Sequence, residues 1–565
     1  MRRFFNTRLL IAVACVLAGL GSTARAALVI SDSPTKNMNC GDGVCTATAA
    51  DAVMNAKDLK RGLVVADLKI VSGSAAQDIV FNTKFQWTKK TRLTLDAYRS
   101  ITFNFAVVAE GTGAVTLITN DGGTGGDYSF TDKGKLTFWD ASSSLIINGA
   151  TFTLVNDIAT LATGLAANPG GSFALTNYYD ASGALYTASP IDFLGGTFEG
   201  LGHVIANLAI HNKGDEQRGA SKHNKVGLFF FAGNGSVIRD VHLTNVNIVW
   251  RTGKLAYVGS LLGYGQASIV NSSSQGSIAA NGPSAVGGLA GFADGDIINS
   301  AASVEISIPF VPSNLRRVRS EPYVGGLVGE EYGSIRNSHA SGTIIGGTGD
   351  LVGGLAGWAN SVSNSYATTT VSVPDSEYQC TEFDHHKRHA GSFAGGLVGF
   401  ANSIQQSFAT GPVIGGRETV LGGLAGMSFD VVNSYSTGSV QGGEKSCVGG
   451  LMGLTDPFQS NFQVSSSYSI GSVSGSELNK RGGIVGFDRQ RGTFASTCWD
   501  LDTSGITDPT RGAGNPKNDP GIAGLSDAQL KSGLPSGFDS AVWAQSPDVN
   551  NGYPYLLSNP PPPPQ

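Results

Sequence analysis

Residues 374–392 hold a dense set of side chains able to do chemistry: Cys380, Glu382, Asp384, His385, His386, Lys387, Arg388 and His389. His385 and His389 stand four apart, a spacing at which two imidazoles on one helix face can share a metal ion. Cys380 and His386 are close enough in sequence to add ligands. The same residues also make an ordinary solvated loop, which needs no metal. A second segment, 309–322, is basic, with Arg316, Arg317 and Arg319. Opposite charges on the two segments allow them either to pair with each other or to form a composite recognition surface. No cofactor is expected, and no catalytic or metal-binding residue is assigned.

The frame that must position these segments is a repeat. A Gly-Gly-aliphatic-Gly phrase starts at residues 258, 286, 324, 352, 394, 421, 448 and 481. The intervals are 28, 38, 28, 42, 27, 27 and 33 residues. A basal period of 27–28 with occasional insertions is the signature of stacked units. The two long intervals are the ones that contain 309–322 and 374–392, at similar offsets within the repeat. Both segments are therefore expected on one corner, two units and about 10 Å apart along the stack.

Each unit holds short runs of alternating apolar character between Gly and Asn, which reads as strand. Asn-Ser follows the phrase at 271–272, 299–300, 337–338, 364–365 and 433–434, with variants at Gln406-Ser407 and Ser466-Ser467. Gly and Asn enter the left-handed backbone region at low cost and suit sharp corners. Stacked Asn side chains can also bond along the stack. Leu289, Leu327, Leu355, Leu397, Leu424 and Leu451 recur at one offset and should pile into a continuous core. The fold expected is all-β, a single-stranded parallel β-helix. His339, Tyr366, Phe408, Tyr435 and Tyr468 follow the Asn-Ser step. They should stack in one column, a sugar-stacking stripe if it points out and core filling if it points in.

Composition narrows the function classes. Charged residues are 14% of the 565, and Gly accounts for 78. Residues 1–26 read as a secretory signal: Arg2, Arg3 and Arg8, then an apolar run over Leu9 to Leu20, then Ala24-Arg25-Ala26. Without them the balance is 34 basic to 43 acidic residues, which argues against nucleic acid as a partner. Export permits disulfides, and Cys40 and Cys45 can close a small loop. Cys380, Cys447 and Cys498 are scattered, so at least one thiol should be free or buried.

The phrase G-G-L-[VA]-G with its following N-S-Y-A-T-G-like strand resembles the GLUG repeat of bacterial surface proteins. The segments 49–65, 93–104, 144–157 and 193–210 are similar to filamentous-haemagglutinin-like exoproteins, and 497–505, 524–530 and 551–557 resemble the usual finish of such arrays. The resemblance implies a right-handed β-helix, secreted or on the surface of a Gram-negative-type bacterium. It implies adhesion to host or neighbouring-cell glycans or surface proteins, and a separate outer-membrane secretion partner. It carries over no catalytic residues.

The organisation expected is a signal over 1–26, an N-terminal cap and haemagglutinin-like coils over 27–225, GLUG repeats over 226–490, a C-terminal cap over 491–558 and a Pro-rich tail over 559–565. A helical insert is expected near 157–167. The competing reading is a polysaccharide lyase or hydrolase, which needs carboxylates converging on one groove. Asp294, Asp296 and Glu305 fall at different parts of a unit, and NDGGTGGD (120–127) occurs once where calcium-binding repeats need stacked copies. The third reading is a structural spacer.

Overall fold

The computed structural model describes residues 26–212, 224–251, 256–282, 284–308, 322–376, 380, 391–455, 462–489, 494–515 and 519–563. They form a mostly β structure of parallel sheets.

The unit beginning at Tyr323 shows the plan. Tyr323–Gly325 lies in a first sheet, Val328–Arg336 in a second, and His339–Ser341 with Thr343–Ile345 in a third. Every strand pairs in parallel with its counterpart one unit on: Tyr323 faces Leu351, Val328 faces Ala356 and His339 faces Tyr366. The first sheet runs in sequence order from Lys225–Val226 to Arg481–Gly482. Parallel pairing extends to Ile522–Leu525 on Thr497–Asp500, beyond residue 490.

The interior is aliphatic. Leu289, Leu327, Leu355, Leu397, Leu424 and Leu451 are fully buried in one cluster that extends from Val155 to Ile522. A second cluster fills residues 28–201, around Trp87, Phe81 and Phe103. The helix Ile158–Ala167 lies where the sequence places it, started by the Asp157 side chain accepting from Thr160 N. Cys40 and Cys45 are disulfide-bonded across the antiparallel hairpin Met38–Gly41/Val44–Ala47.

The corner chemistry splits in two. Asn271, Asn299, Asn337, Asn364 and Asn433 adopt φ of 48–51°, and Gln406 and Ser466 adopt 46° in their place. Their amides bond along the stack, Asn337 to Asn299 at 3.2 Å and Asn299 to Asn271 at 3.1 Å. The adjoining serines form a second chain: Ser272 N donates to Ser300 Oγ, and the pattern continues through Ser338, Ser365, Ser407 and Ser434 to Ser467. The Gly-Gly steps are different, and this corrects the sequence reading. None has a left-handed φ. They are glycine because the first and second sheets meet backbone to backbone. A Cβ on Gly287 would lie 2.5 Å from Val328 Cα, and one on Gly291 would lie 2.5 Å from Val258 N. Each lies closer than any real Cβ contact, so the elbow closes only without side chains.

Candidate functional site

The eight charged residues singled out on the two insertions, Arg316, Arg317, Arg319, Glu382, Asp384, His385, His386 and His389, lie outside the described residues. Their anchors are described. Ser307 and Tyr323 flank the first insertion, Val373 and Phe393 the second, and both links run from the third sheet to the first. Cys380 is disulfide-bonded to Cys447, which removes it from any metal-ligand set. Cys498 remains free and buried, and burial pushes its thiol up to about 12.

The post-Asn-Ser column stacks as expected. Ring centroids from His339 through Tyr366, Phe408 and Tyr435 to Tyr468 are 4.8, 5.0, 4.8 and 5.0 Å apart, with planes within 9°. It belongs to neither alternative. The rings point away from the main core, yet Phe408, Tyr435 and Tyr468 are fully buried. Their cover is the C-terminal segment, whose Leu530, Phe538, Trp543, Tyr553 and Leu556 pack on them. Trp543 Nε1 donates to Asn433 Oδ1, Tyr468 OH to Pro554 O, and Asn559 Nδ2 to Ser365 O. The chain's own end thus lies along the side of the third sheet.

A second aromatic column lies outside the Asn-Ser pattern. It is carried by the residue directly after the last Gly of the repeat phrase, and its strand register runs Phe193, Phe231, Tyr264, Phe292, Glu330, Trp358, Phe400, Met427, Leu454 and Phe487. These side chains point out of the second sheet. Centroids are 5.7 Å apart for Phe193–Phe231, 5.9 Å for Phe231–Tyr264 and 4.2 Å for Tyr264–Phe292. Tyr257 of the first sheet meets Tyr264 edge-on at 5.0 Å, so both sheets contribute to one apolar elbow. The Lys225 ammonium sits 4.5 Å over the Tyr264 ring and 4.6 Å over Phe231, a cation–π contact, and burial lowers its pKa.

Two residues further on, a second outward position is polar: Gln266, Asp294, Asn360 and Asn402. Gln266 Nε2 donates to Asp294 Oδ2 at 2.9 Å, and Asn402 Nδ2 to Asn360 Oδ1 at 3.0 Å. The outward pattern is aromatic, small, polar. It inverts at one unit, where Glu330-Glu331-Tyr332 puts the acid in the ring column and the ring in the polar column. A bulge between Glu331 and Ser334 accompanies the inversion. Tyr332 tilts 40° from Phe292 and 36° from Trp358, and half of it is exposed. Burial among these rings pushes the Glu330 carboxyl up to about 7, offset in part by the Tyr332 hydroxyl. Glu331 points inward, fully buried. Its Oε1 accepts from Gly333 N, its Oε2 has no partner, and burial holds its pKa well above the usual range.

Beyond Phe400 the elbow is covered. Cys380 and Cys447 pack with Leu351, Phe393, Val420, Met427 and Leu454, so Cys380 is tied down over the far end of the column. From Phe193 to Trp358 exposure varies: Phe193 and Tyr332 are exposed, Phe231, Tyr264 and Trp358 are half-buried, and Phe292 and Glu330 are buried.

The acids weighed for catalysis are dispersed. Asp296 binds Ser334 and Arg336, Asp294 lies in the polar column, and Glu305 is on the third sheet. A buried charge network lies elsewhere. Arg239 contacts Glu199 at 3.3 Å, Asp240 at 3.0 Å and Asp127 at 3.2 Å, and stacks 3.9 Å from the Tyr128 ring. Tyr128 OH donates to Glu199 at 2.6 Å, and the neighbouring His203 bonds Leu136 O at 2.9 Å. The network ties residues 127–136 to the strands at 199–242. It is a seam between the two cores.

The comparison with protein families places a motif on this geometry. The GLUG motif matches residues 282–307 and 320–345. Those two units include the Phe292–Asp294 pair and the inverted Glu330–Tyr332 pair. No curated protein matches the chain.

Proposed function

We propose that the chain winds as a right-handed parallel β-helix and is a secreted or cell-surface adhesin-like protein of a Gram-negative-type bacterium, exported with a separate outer-membrane partner. It binds glycan or protein ligands through an extended surface and performs no catalysis. Right-handedness follows from the rule for parallel crossover connections. The export reading rests on residues 1–26. The GLUG motif, found in extracellular and surface-type proteins, is compatible with it.

One observation carries the binding reading. Of two outward aromatic columns, one is covered by residues 530–556, and the other, among the described residues, carries exposed rings at Phe193 and Tyr332 and half-buried ones at Phe231, Tyr264 and Trp358. Apolar outward patches of this kind, rimmed by polar groups, mark interaction surfaces. Beads coated with the full chain should adhere to host or neighbouring cells, and a variant lacking 374–392 tests the share of the insertion. Absence of adhesion to any surface tried would favour a spacer. N-terminal sequencing of exported protein should begin at Ala27.

The polysaccharide-active reading draws support from Glu330, whose carboxyl near 7 is poised as a general acid has to be. Release of soluble sugar from any polysaccharide, lost in Glu330→Gln, would replace the binding reading with that one.

A further inference from the structure

A stacked ladder hides most of what an aromatic ring offers. Where rings lie parallel at 4.2–5.9 Å, each face is occupied by the next ring, and a ligand meets only edges. A ring face is uncovered in part where the stack tilts. The column tilts at the inverted unit. There Tyr332 lies 5.4 Å from Phe292 at 40° and 4.7 Å from Trp358 at 36°, and half of it is exposed. Resting on the adhesin-like reading, we infer that the inverted unit is a subsite for an uncharged sugar chain: Tyr332 and Trp358 take the apolar face of one ring, and the neighbouring amide column takes its hydroxyls.

The polarity of the surroundings selects this ligand. Three phenols border the Glu330 carboxyl: Tyr257, Tyr264 and Tyr332. That carboxyl is largely protonated below neutral pH and acts there as a hydroxyl-like donor. The nearest cation, Lys225, is held over Phe231 and Tyr264. The polar column supplies Gln266, Asp294, Asn360 and Asn402, amides and one carboxylate that both donate and accept. An apolar floor with a rim of this kind matches a molecule with C–H faces and equatorial hydroxyls. It offers no free positive charge, among the described residues, to hold a sulfated or uronic polymer. The units repeat about 4.8 Å apart, so the rim continues along the axis and favours a chain over a single sugar.

The test uses the full chain in affinity electrophoresis through gels containing cellulose-derived, mannan or dextran polymers, beside polygalacturonate and heparin. Retardation by at least one neutral polymer is expected. Tyr332→Ala and Trp358→Ala should each weaken it about tenfold, with thermal melting unchanged in Tyr332→Ala. Ile345→Ala, an exposed apolar residue on the third sheet, should leave it as it is. Retardation by the anionic polymers alone, or equal retardation of wild type and both variants, overturns the inference. Bead adhesion separates the two levels. Adhesion abolished by protease treatment of the cells but untouched by periodate leaves the adhesin reading standing and removes the sugar. Absence of adhesion and of retardation removes both.

Discussion

The two aromatic columns are built by one device and end in opposite states. Each places one ring per unit on the outside of a parallel sheet, and each stacks at about the unit spacing. On the third sheet the rings are parallel within 9° and sealed by Trp543, Phe538 and Tyr553. On the second sheet they tilt by up to 40°, invert once, and stay partly exposed until Cys380 and Cys447 close the far end. Regular stacking suits burial beneath a second layer, because a flat ladder presents a uniform surface for the cover to pack on. Irregular stacking suits contact with something outside the chain, because it exposes faces.

Breaking the covered column should cost most. Tyr468→Ala removes a fully buried ring and its bonds to Pro554 and Asn550, and about 3–5 kcal/mol of stability should be lost in chemical denaturation. If the loss is under 1 kcal/mol, the C-terminal segment is not a packed cover. Cutting the Cys380–Cys447 tie in Cys447→Ala should cost about 2–4 kcal/mol and speed proteolysis within 374–392, which limited digestion would report. Gly326→Ala forces a side chain against Gly354 O and the Ala340 methyl, so about 1–3 kcal/mol should be lost, sharpening the distinction between close approach and turn geometry. On the open column, Tyr332→Ala should change stability by less than about 0.5 kcal/mol, as an exposed position does.

The smallest effect is a pH slope. The folded Glu330 carboxyl holds its proton to about 7, against about 4.5 for an ordinary glutamate. The native state therefore binds more protons than the unfolded one between those values, and stability falls as pH rises through that window. Glu330→Gln should flatten this part of the profile in urea titrations at a series of pH values. An unaltered slope would mean that the carboxyl is solvated.

Much of the frame was legible in the residues. Period sets the strand spacing, the Leu column sets the core, and Asn-Ser announces both the left-handed corner and the amide and hydroxyl chains. The rings of the second column were equally visible, as the Tyr, Phe, Trp or Phe that follows the phrase at 264, 292, 358 and 400. Read locally, one ring per unit followed by a small and a polar residue is an ordinary outward strand face, so only the stacked register shows the column. Other features were beyond reach of local pattern. Nothing near Tyr435 or Tyr468 states that residues 526–559 will fold back over them. The pairing of Cys380 with Cys447 spans 67 positions, and the Arg239 seam joins residues more than 100 apart. Such contacts are made by the assembled stack, so the short-range sequence carries no periodic trace of them.

The links from third sheet to first have one more consequence. After Ile345 the link is 346–350; one unit later, after Val373, it is 374–392. The partners on both sides keep their register, Leu351 with Phe393 and Phe393 with Val420. Closing a loop nearly four times longer adds roughly 1 kcal/mol of entropy cost, because that cost grows only with the logarithm of length. The corner is thus a position of high evolvability. A lineage can exchange what is displayed there by insertion or deletion while the scaffold folds as before, so related chains should differ most in length at this corner and least in the phrase beside it.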